Sequence, residues 1–367
     1  GQRGQQGEMT FLIAAAGTGG HVFPGLSVGE ALVDRGVPRH DVLYVGGSRL
    51  EATIYPEEGF PFLGVEIRGL QRSLAPKNLT LPLVVRRARG EIASAMSERK
   101  VRASLGVGGY ITIPTGLAAR RLHTPFFNSE QNAHAGLANR VAARWARRTF
   151  GAFPFTVGLP DAEWVGNPVR EAFWHFDRSA LRPGALGRFG LRADRPSLGV
   201  VGGSLGAGVI NQAVMRLVAD WEGPEIQVLH ITGRRFIEEI SLLEPGPGVT
   251  WVRTGFETSM ESFYAVSDLV LARAGGAVAE LTATGTPSVL VPGEFGSGGH
   301  QIENARFLTE SGASVTVPEP DLSRLGEVIA ATLLRPETLL TMREKAHRLA
   351  KPHAAHVIAD AMIEAAG

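Results

Sequence analysis

The 367-residue sequence contains no cysteine, so the chain can form neither a disulfide bond nor a thiolate metal site. A chain without cysteine is more typical of the cytoplasm than of secreted proteins. It also has no apolar run close to the roughly 20 residues that a membrane-spanning helix needs. G-x-x-x-x-G-K-[ST], H-E-x-x-H and D-x-D are all absent, which argues against P-loop phosphoryl transfer and a tightly bound catalytic metal. We therefore expect a cytoplasmic protein that needs no metal or other cofactor.

The formal net charge of +1 hides an asymmetry between the two halves of the chain. Residues 1–165 carry 19 Lys and Arg against 13 Asp and Glu, whereas the remaining residues carry 18 against 23. A basic N-terminal half suits an anionic partner such as a phosphate-rich ligand or a membrane surface, and ordinary solvated charge explains it equally well. No nucleic-acid partner is expected.

The sequence contains an internal repeat. A shift of 186 positions places residues 11–47 over 197–233, and each stretch reads as strand, glycine loop, helix, turn and strand. Matched βαβ openings predict two doubly wound, parallel-sheet, Rossmann-like domains of the α/β class. We expect a flexible leader at 1–8 and domains at 9–165 and 166–340. The helical C-terminal segment 341–367 packs back on the first domain or caps the second.

The repeat places a glycine turn before the first helix of each half. Residues 14–25 read AAAGTGGHVFPG and residues 202–211 read GGSLGAGVIN. Backbone N–H groups at such a turn favour phosphate, although glycine can also serve only to pack a helix closely on a strand. The dinucleotide pattern G-x-G-x-x-G fails at Val22, and no acid follows Gly46-Gly47 to hold a ribose, so a nicotinamide cofactor is disfavoured.

Three polar groups are candidates for sugar or nucleotide contacts. Glu280 can accept hydrogen bonds from two sugar hydroxyls, or can be a first-turn glutamate favoured by the helix dipole. Gln301 and Asn304 share one helical face, where their amides suit sugar hydroxyls but are also common as surface residues. Residues 130–134 place Glu130 and Asn132 at the end of a predicted strand, where polar clusters often line α/β sites.

Seven segments together resemble the MurG family of N-acetylglucosaminyltransferases, in the family's order. They are GTGGHVFPGL (17–26), GVGGY (106–110), SEQNAHAGLANR (129–140), VGNPVR (165–170), GGSLGAGVIN (202–211), RAGGAVAE (273–280) and HQIENA (300–305). The resemblance spans roughly residues 10–350. It implies the GT-B architecture, in which two Rossmann-like domains face each other across a cleft.

The resemblance also implies a reaction. GlcNAc passes with inversion from UDP-GlcNAc to the 4-hydroxyl of MurNAc in lipid I, the undecaprenyl-diphosphate-linked MurNAc-pentapeptide. The product is lipid II, the precursor for peptidoglycan of the cell wall. In this reading the first domain binds the acceptor and the membrane, and the second domain binds UDP-GlcNAc.

Site residues follow from the same resemblance. In the first domain, four residues face the transferred sugar and the acceptor diphosphate: Thr18, Gly19, Gly20 and His21. Asn132 and Arg170 close the site from the cleft, and Tyr110 is a further substrate-binding residue. The second-domain set binds the donor, with Ser204 on the diphosphate, Glu280 on the ribose, the backbone around Phe256 and Glu257 at the uracil edge, and Gln301 on GlcNAc. Gly276, Ala277 and Asn304 are further substrate-binding residues.

The reaction needs a base for the MurNAc hydroxyl. His21 is the first choice, because an unperturbed imidazole titrates near pH 6.5, and Glu130 is the second. A purely electrostatic or structural role for His21, with the imidazole donating to the acceptor diphosphate, is the alternative. Glycine-loop amides could stabilise the leaving UDP without a metal.

A basic and apolar stretch at 68–89 suits the surface of an anionic membrane. Apolar residues including Leu79, Leu81, Leu83 and Val84 are flanked by cations that include Arg86 and Arg87. An amphipathic helix with a solvated basic end explains the same letters. The family resemblance implies peripheral association with the inner face of the cell membrane.

The sequence departs from the family pattern at several points. Ser129 stands where the family usually has histidine, Leu205 replaces a glutamine, and the 273–280 segment is one residue short. Two other functions therefore remain open: a UDP-GlcNAc 2-epimerase of the same architecture, and a sugar-nucleotide-binding protein without catalytic activity.

Overall fold

The computed structural model describes residues 10–67, 81–203, 206–293 and 299–367. The chain divides into two compact units. The first runs to Glu171 and also takes in His353–Gly367, whereas the second is Ala172–Pro352. The boundaries between the units lie at 171/172 and 352/353, C-terminal to the boundaries at 165/166 and 340/341 expected from the sequence. Residues 341–352 therefore belong to the second unit. The leader expected at 1–8 lies outside the described residues.

The first unit is built on a seven-stranded parallel sheet of order β3-β2-β1-β4-β5-β6-β7. Its strands are β1 Thr10–Ala15, β2 Val42–Gly46, β3 Phe62–Gly64, β4 Val101–Gly108, β5 Phe126–Glu130, β6 Arg148–Gly151 and β7 Glu163–Trp164. Its helices include α1 Gly19–Asp34, α2 Glu51–Glu57, α3 Leu81–Glu98, α4 Thr112–Leu122 and α5 Leu137–Ala142. Every residue of β1 is buried, as expected for a central parallel strand covered on both faces.

The second unit is built on a six-stranded parallel sheet of order β10-β9-β8-β11-β12-β13. Its strands are β8 Ser197–Val201, β9 Ile226–Ile231, β10 Val249–Thr254, β11 Leu269–Ala272, β12 Ser288–Leu290 and β13 Ser314–Thr316. Its helices include α6 Arg178–Phe189, α7 Gly208–Ala219, α8 Ile237–Ser241, α9 Met260–Val266, α10 Ala277–Thr284, α11 His300–Ser311, α12 Leu325–Leu333 and α13 Pro336–Arg348.

The two sheets share one topology. In each, the first strand of the unit lies in the middle, with the second and third strands on one side and the fourth and fifth on the other. The prediction of two doubly wound parallel sheets is therefore confirmed. The strand order reverses beside β1 and β8, and open α/β sheets bind ligands at the carboxyl ends of the strands at such a switch point.

The last helix, α14 Ala354–Ala366, completes the first unit. It packs against α1 and β4, and Ala355, Ile358 and Met362 are fully buried there. Asp360 pairs with Arg35, which directly follows α1, through two bonds of 2.7 and 3.1 Å. The C-terminal segment thus returns to the unit in which the chain began.

Candidate functional site

The first candidate site lies where β1 and β4 end side by side. The chain leaves β1 through Gly17, whose φ of +113° suits glycine, and then enters α1 at Gly19. His21, in the first turn of α1, lays its ring against Gly108 at the end of β4, so closely that a Cβ at position 108 would clash with it. The turn from β4 therefore seats the imidazole at the switch point of the sheet.

The neighbouring predicted residues gather at the same edge. The Thr18 carbonyl accepts from the N–H groups of His21 and Val22 at 3.0 and 3.1 Å, and these bonds start the helix. Thr18 and Gly20 are exposed. Tyr110 is partly exposed and directly follows Gly109, at which a Cβ would lie 2.5 Å from the Ala16 carbonyl oxygen. Close approach of the two turns thus brings Tyr110 beside the start of α1.

A buried carboxylate that we did not predict holds this turn. Glu51, at the start of α2, is 1% exposed. Its Oε2 accepts from the Gly17 N–H at 3.2 Å and its Oε1 from the Gly47 N–H at 2.9 Å. One side chain therefore ties the glycine turn after β1 to the one after β2.

Glu130 also acts on its own loop. It is 2% exposed at the end of β5. Its Oε1 accepts from the N–H and Nδ2 of Asn132 at 3.0 and 3.2 Å, and its Oε2 from the Gly136 N–H and Asn139 Nδ2 at 3.0 and 2.8 Å. Four donors on one carboxylate fix the 131–136 loop and with it Asn132, which is partly exposed. Asn139, a second residue missed from the sequence, supports this loop from α5.

Arg170 lies beside α1, with its guanidinium carbon 5.9 Å from the centroid of the Phe23 ring. Next to it, burial raises the pKa of the Glu30 carboxyl to about 7, while the Glu171 N–H and Arg170 act in the opposite direction. Arg170 therefore lies beside the helix α1, which carries His21.

The predicted membrane contact falls mainly on α3. Ala88, Ile92 and Met96 form its buried face, whereas Leu83 is 67% exposed. Leu81 and Val84 are partly buried, and Arg86 and Arg87 are exposed. Arg87 pairs with Glu91 at 3.0 Å. Leu79 lies outside the described residues.

The second candidate site lies at the ends of β8 and β11. Gly203 and Gly206 have φ of +94° and +73°, and a Cβ at 206 would lie 2.5 Å from the Thr232 carbonyl oxygen. Asn211 of α7 donates to that carbonyl at 2.9 Å and pairs with the buried His230 at 2.9 Å. Burial lowers the pKa of His230 to about 3, so the imidazole stays neutral at physiological pH. Ser204 lies outside the described residues.

Polar side chains fix the turn after β11, where Gly276 precedes α10 and Ala277 is its first residue. Asn304 is 1% exposed and donates to the Ala274 carbonyl at 3.0 Å. Gln301 Oε1 accepts from the Gly293 N–H at 2.8 Å. Asn304 thus holds the turn after β11, whereas the partly exposed Gln301 holds the segment after β12 at Gly293.

Glu280 is oriented by a tyrosine that the sequence analysis missed. Tyr264 of α9 is fully buried, and its hydroxyl donates to Glu280 Oε2 at 2.8 Å. Glu280 itself is partly exposed on α10. A buried donor of this kind restricts the rotamers of the carboxylate.

Phe256 and Glu257 follow β10. The Phe256 ring is 42% exposed, and the Arg234 guanidinium lies 4.6 Å from its centroid. Glu257 accepts from the Ser259 N–H at 2.7 Å and from Arg188 at 2.6 Å. The Glu257 side chain is therefore engaged within the protein, and only its backbone could serve a base edge.

Within 10–67, 81–203, 206–293 and 299–367, no three His, Asp or Glu side chains are grouped so that they could hold a metal ion. In those same ranges, no helix has the length and apolar character needed to cross a membrane.

Both halves match one family of enzymes. Residues 11–151 match the glycosyltransferase family 28 N-terminal domain and residues 197–358 match its C-terminal domain. Together with the paired parallel sheets, these matches define a two-domain glycosyltransferase of the GT-B class.

Full-length relatives narrow the class. The chain is 38% identical over 360 residues to the UDP-N-acetylglucosamine–N-acetylmuramyl-(pentapeptide) pyrophosphoryl-undecaprenol N-acetylglucosamine transferase of Cupriavidus necator, covering 96% of this chain and 97% of the relative. It is 37% identical over 365 residues to the enzyme of that name from Neisseria gonorrhoeae, covering 98% and 99%. A crystal structure of MurG from Acinetobacter baumannii superposes with a TM-score of 0.79 at 28% identity, covering 98% of this chain and all of that one. The chain belongs to the MurG family.

The fold is shared more widely. A UDP-GlcNAc 2-epimerase from Neisseria meningitidis superposes with a TM-score of 0.66 at 13% identity, over 97% of this chain and 100% of that one. At that identity the likeness shows a common fold and nothing about activity.

Proposed function

We propose that the protein transfers GlcNAc from UDP-GlcNAc to the 4-hydroxyl of MurNAc in lipid I and so produces lipid II. The observation that carries this proposal is a matched pair of glycine turns at the switch points of two parallel sheets, with His21 seated at the first. Full-length relatives that are named for this reaction support it.

The donor belongs to the second unit. The turn after β8 offers backbone N–H groups at the start of α7, where a diphosphate is favoured. Glu280, oriented by Tyr264, would accept from the ribose hydroxyls, and Gln301, in the first turn of α11, would contact the sugar. The exposed Phe256 ring would lie beside the uracil, with the 256–257 backbone at its edge. Ser204 is assigned to the diphosphate from the sequence alone.

The acceptor belongs to the first unit, with His21 as the base. The MurNAc 4-hydroxyl attacks the anomeric carbon, its proton passes to His21, and the bond to UDP breaks on the opposite face. We prefer His21 to Glu130 because both oxygens of Glu130 already accept hydrogen bonds from four donors in its own loop. Thr18, Gly19, Gly20 and Tyr110 line the same edge, with Asn132 and Arg170 as further acceptor contacts.

The exposed end of α3 would contact the membrane that holds the lipid acceptor. Leu83 projects into solvent, which is unusual for a leucine in the first turn of a helix, and Arg86 supplies an exposed cation beside it. An apolar side chain flanked by cations suits the interface of an anionic leaflet, and the protein would then be peripheral on the cytoplasmic side.

Product analysis tests the reaction. Purified protein is mixed with labelled UDP-GlcNAc and a short-chain lipid I analogue, and both UDP release and labelled lipid are followed. We expect acceptor-dependent transfer of label to the lipid. Formation of UDP-ManNAc would instead indicate an epimerase. UDP-GlcNAc binding without product, with a MurG of known activity working in parallel, would indicate a binding protein and refute the proposal.

A further inference from the structure

The helix α2 places two buried polar side chains on either side of His21. Glu51 and Tyr55 are one helical turn apart and are 1% and 0% exposed. Glu51 accepts from the Gly17 N–H at 3.2 Å, before His21 in the chain. Tyr55 donates to the Val22 carbonyl at 3.0 Å, directly after it.

We propose that Glu51 and Tyr55 are positioning residues for catalysis, which hold the turn Gly17–Val22 so that the His21 imidazole keeps its place at the end of β4. This inference rests on the proposed function, because it gives His21 the role of base. Neither side chain is assigned a contact with substrate.

The local sequence explains why the turn needs this support. Gly17, Gly19 and Gly20 give the backbone freedom on one side of His21, and Pro24 removes one helical N–H on the other. Gly25 admits the tyrosine, since a Cβ there would lie 2.9 Å from the Tyr55 hydroxyl. If a flexible turn lets a catalytic group move out of position, the reaction slows. A misplacement of about 1 Å can lower the rate roughly 100-fold.

The carboxylate suits the glycine turn for a second reason. The N-terminal end of α1 carries partial positive charge, which a buried anion stabilises. Glu51 supplies that anion from within the protein and also anchors the Gly47 N–H at 2.9 Å. Among the described residues of the second unit, Gly206 and Gly208 of the matching turn pack against the apolar ring of Phe236. The turn that bears His21 is instead held by a built-in carboxylate.

Tyr44 offers a matched control. Its ring stacks on that of Tyr55 with centroids 3.8 Å apart, and its hydroxyl donates to the Gly25 carbonyl at 2.9 Å. Tyr44→Phe therefore removes an equally buried hydroxyl that bonds the same helix α1, but at Gly25 and not at Val22, the residue next to His21. A merely structural role would make the Tyr44 and Tyr55 variants equivalent.

The test compares Glu51→Gln, Tyr55→Phe and Tyr44→Phe by two readouts. In hydrogen exchange, we expect the amides of residues 17–22 to exchange faster in the first two variants and to be unchanged in Tyr44→Phe. In transfer assays, we expect kcat to fall by about tenfold or more in Glu51→Gln and less in Tyr55→Phe, with KM for UDP-GlcNAc within about twofold. Tyr44→Phe should keep kcat within about twofold of wild type, even if its melting temperature falls as far as those of the other two variants.

Equal loss of kcat in all three variants at matched stability would overturn the inference, as would a wild-type kcat in Glu51→Gln. If Glu51→Gln does not fold, Tyr55→Phe against Tyr44→Phe decides by the same criteria. An inactive wild-type protein would instead refute the proposed function, and hydrogen exchange would still decide whether α2 holds the turn.

Discussion

Glu30 shows how a single buried carboxyl makes stability depend on pH. Its pKa is raised from 4.5 to about 7, chiefly by burial, and its Oε2 has no hydrogen-bond partner among the described residues. Because the folded state binds this proton more tightly than the unfolded state, the stabilisation is complete below pH 4.5. It is lost as pH rises towards 7, by about 3 kcal/mol in all.

Glu30→Gln should therefore remove this pH dependence. The difference in free energy of unfolding, variant minus wild type, should be about 2–3 kcal/mol larger at pH 8 than at pH 4.5. Urea unfolding at both pH values measures the difference, with the exposed Glu57→Gln on α2 as the control. An equal difference at the two pH values would show that Glu30 is ionised normally.

Tyr264 gives a prediction about donor binding. Tyr264→Phe removes the 2.8 Å hydrogen bond to Glu280 but keeps the ring, which packs edge-on against Phe173 and Phe263. Loss of a hydrogen bond to a carboxylate should weaken UDP binding by roughly tenfold and leave kcat nearly unchanged. Calorimetric titration with UDP measures this, and an unchanged Kd would argue against Glu280 as the ribose contact.

Individual site residues could be predicted only where a local motif marks them. His21 stands out because it follows a glycine turn between a strand and a helix. Glu51 lies 34 residues from Gly17, and nothing near Glu51 in the sequence signals that its carboxylate reaches back to that turn. Tyr264 lies 16 residues from Glu280 and Asn139 lies nine from Glu130, but in each pair the two side chains belong to different elements. Their contacts depend on how those elements pack, which no local motif indicates.

At the scale of elements, the membrane contact proposed for α3 can be tested. We expect Leu83→Glu to reduce binding to vesicles containing anionic phospholipid by about tenfold, because an exposed leucine would otherwise bury its side chain in the interface. Leu340→Glu is the matched control, since Leu340 is 60% exposed on α13 of the other unit. Co-sedimentation measures both, and equal binding by the two variants would remove α3 from the membrane contact.

The two arginines of α3 should differ. Arg87 pairs with Glu91, so Arg87→Gln should weaken vesicle binding less than Arg86→Gln, for which we expect about a fivefold loss at low salt. Titration with vesicles at two ionic strengths compares them. A larger loss in Arg87→Gln would show that its pair with Glu91 opens at the membrane.

The elements were easier to predict than the side chains. Residues 11–47 and 197–233 fall on equivalent strands and helices because burial on both faces demands an apolar strand, and the turn after it demands glycine. The end of the second unit was harder to place. Nothing in the periodicity of 341–352 separates it from the following helix, although the structure assigns it to the second unit.

At the scale of the whole molecule, the chain leaves the first unit and returns to it through α14. Ile358→Ala should lower the free energy of unfolding of the first unit by about 2–5 kcal/mol, because Ile358 is fully buried. Val357→Ala, 42% exposed on the same helix, should cost less than about 1 kcal/mol. Denaturant unfolding compares the variants, and similar losses would mean that α14 is dispensable for that unit.

The central claim is that the two units divide the work, with the base in the first and the donor in the second. The most direct test is His21→Ala, assayed for lipid product and, in parallel, for UDP binding by calorimetry. We predict that turnover falls by about 100-fold or more while Kd for UDP stays within about twofold, with the exposed His40→Ala unchanged in both. Wild-type turnover in His21→Ala would contradict the account.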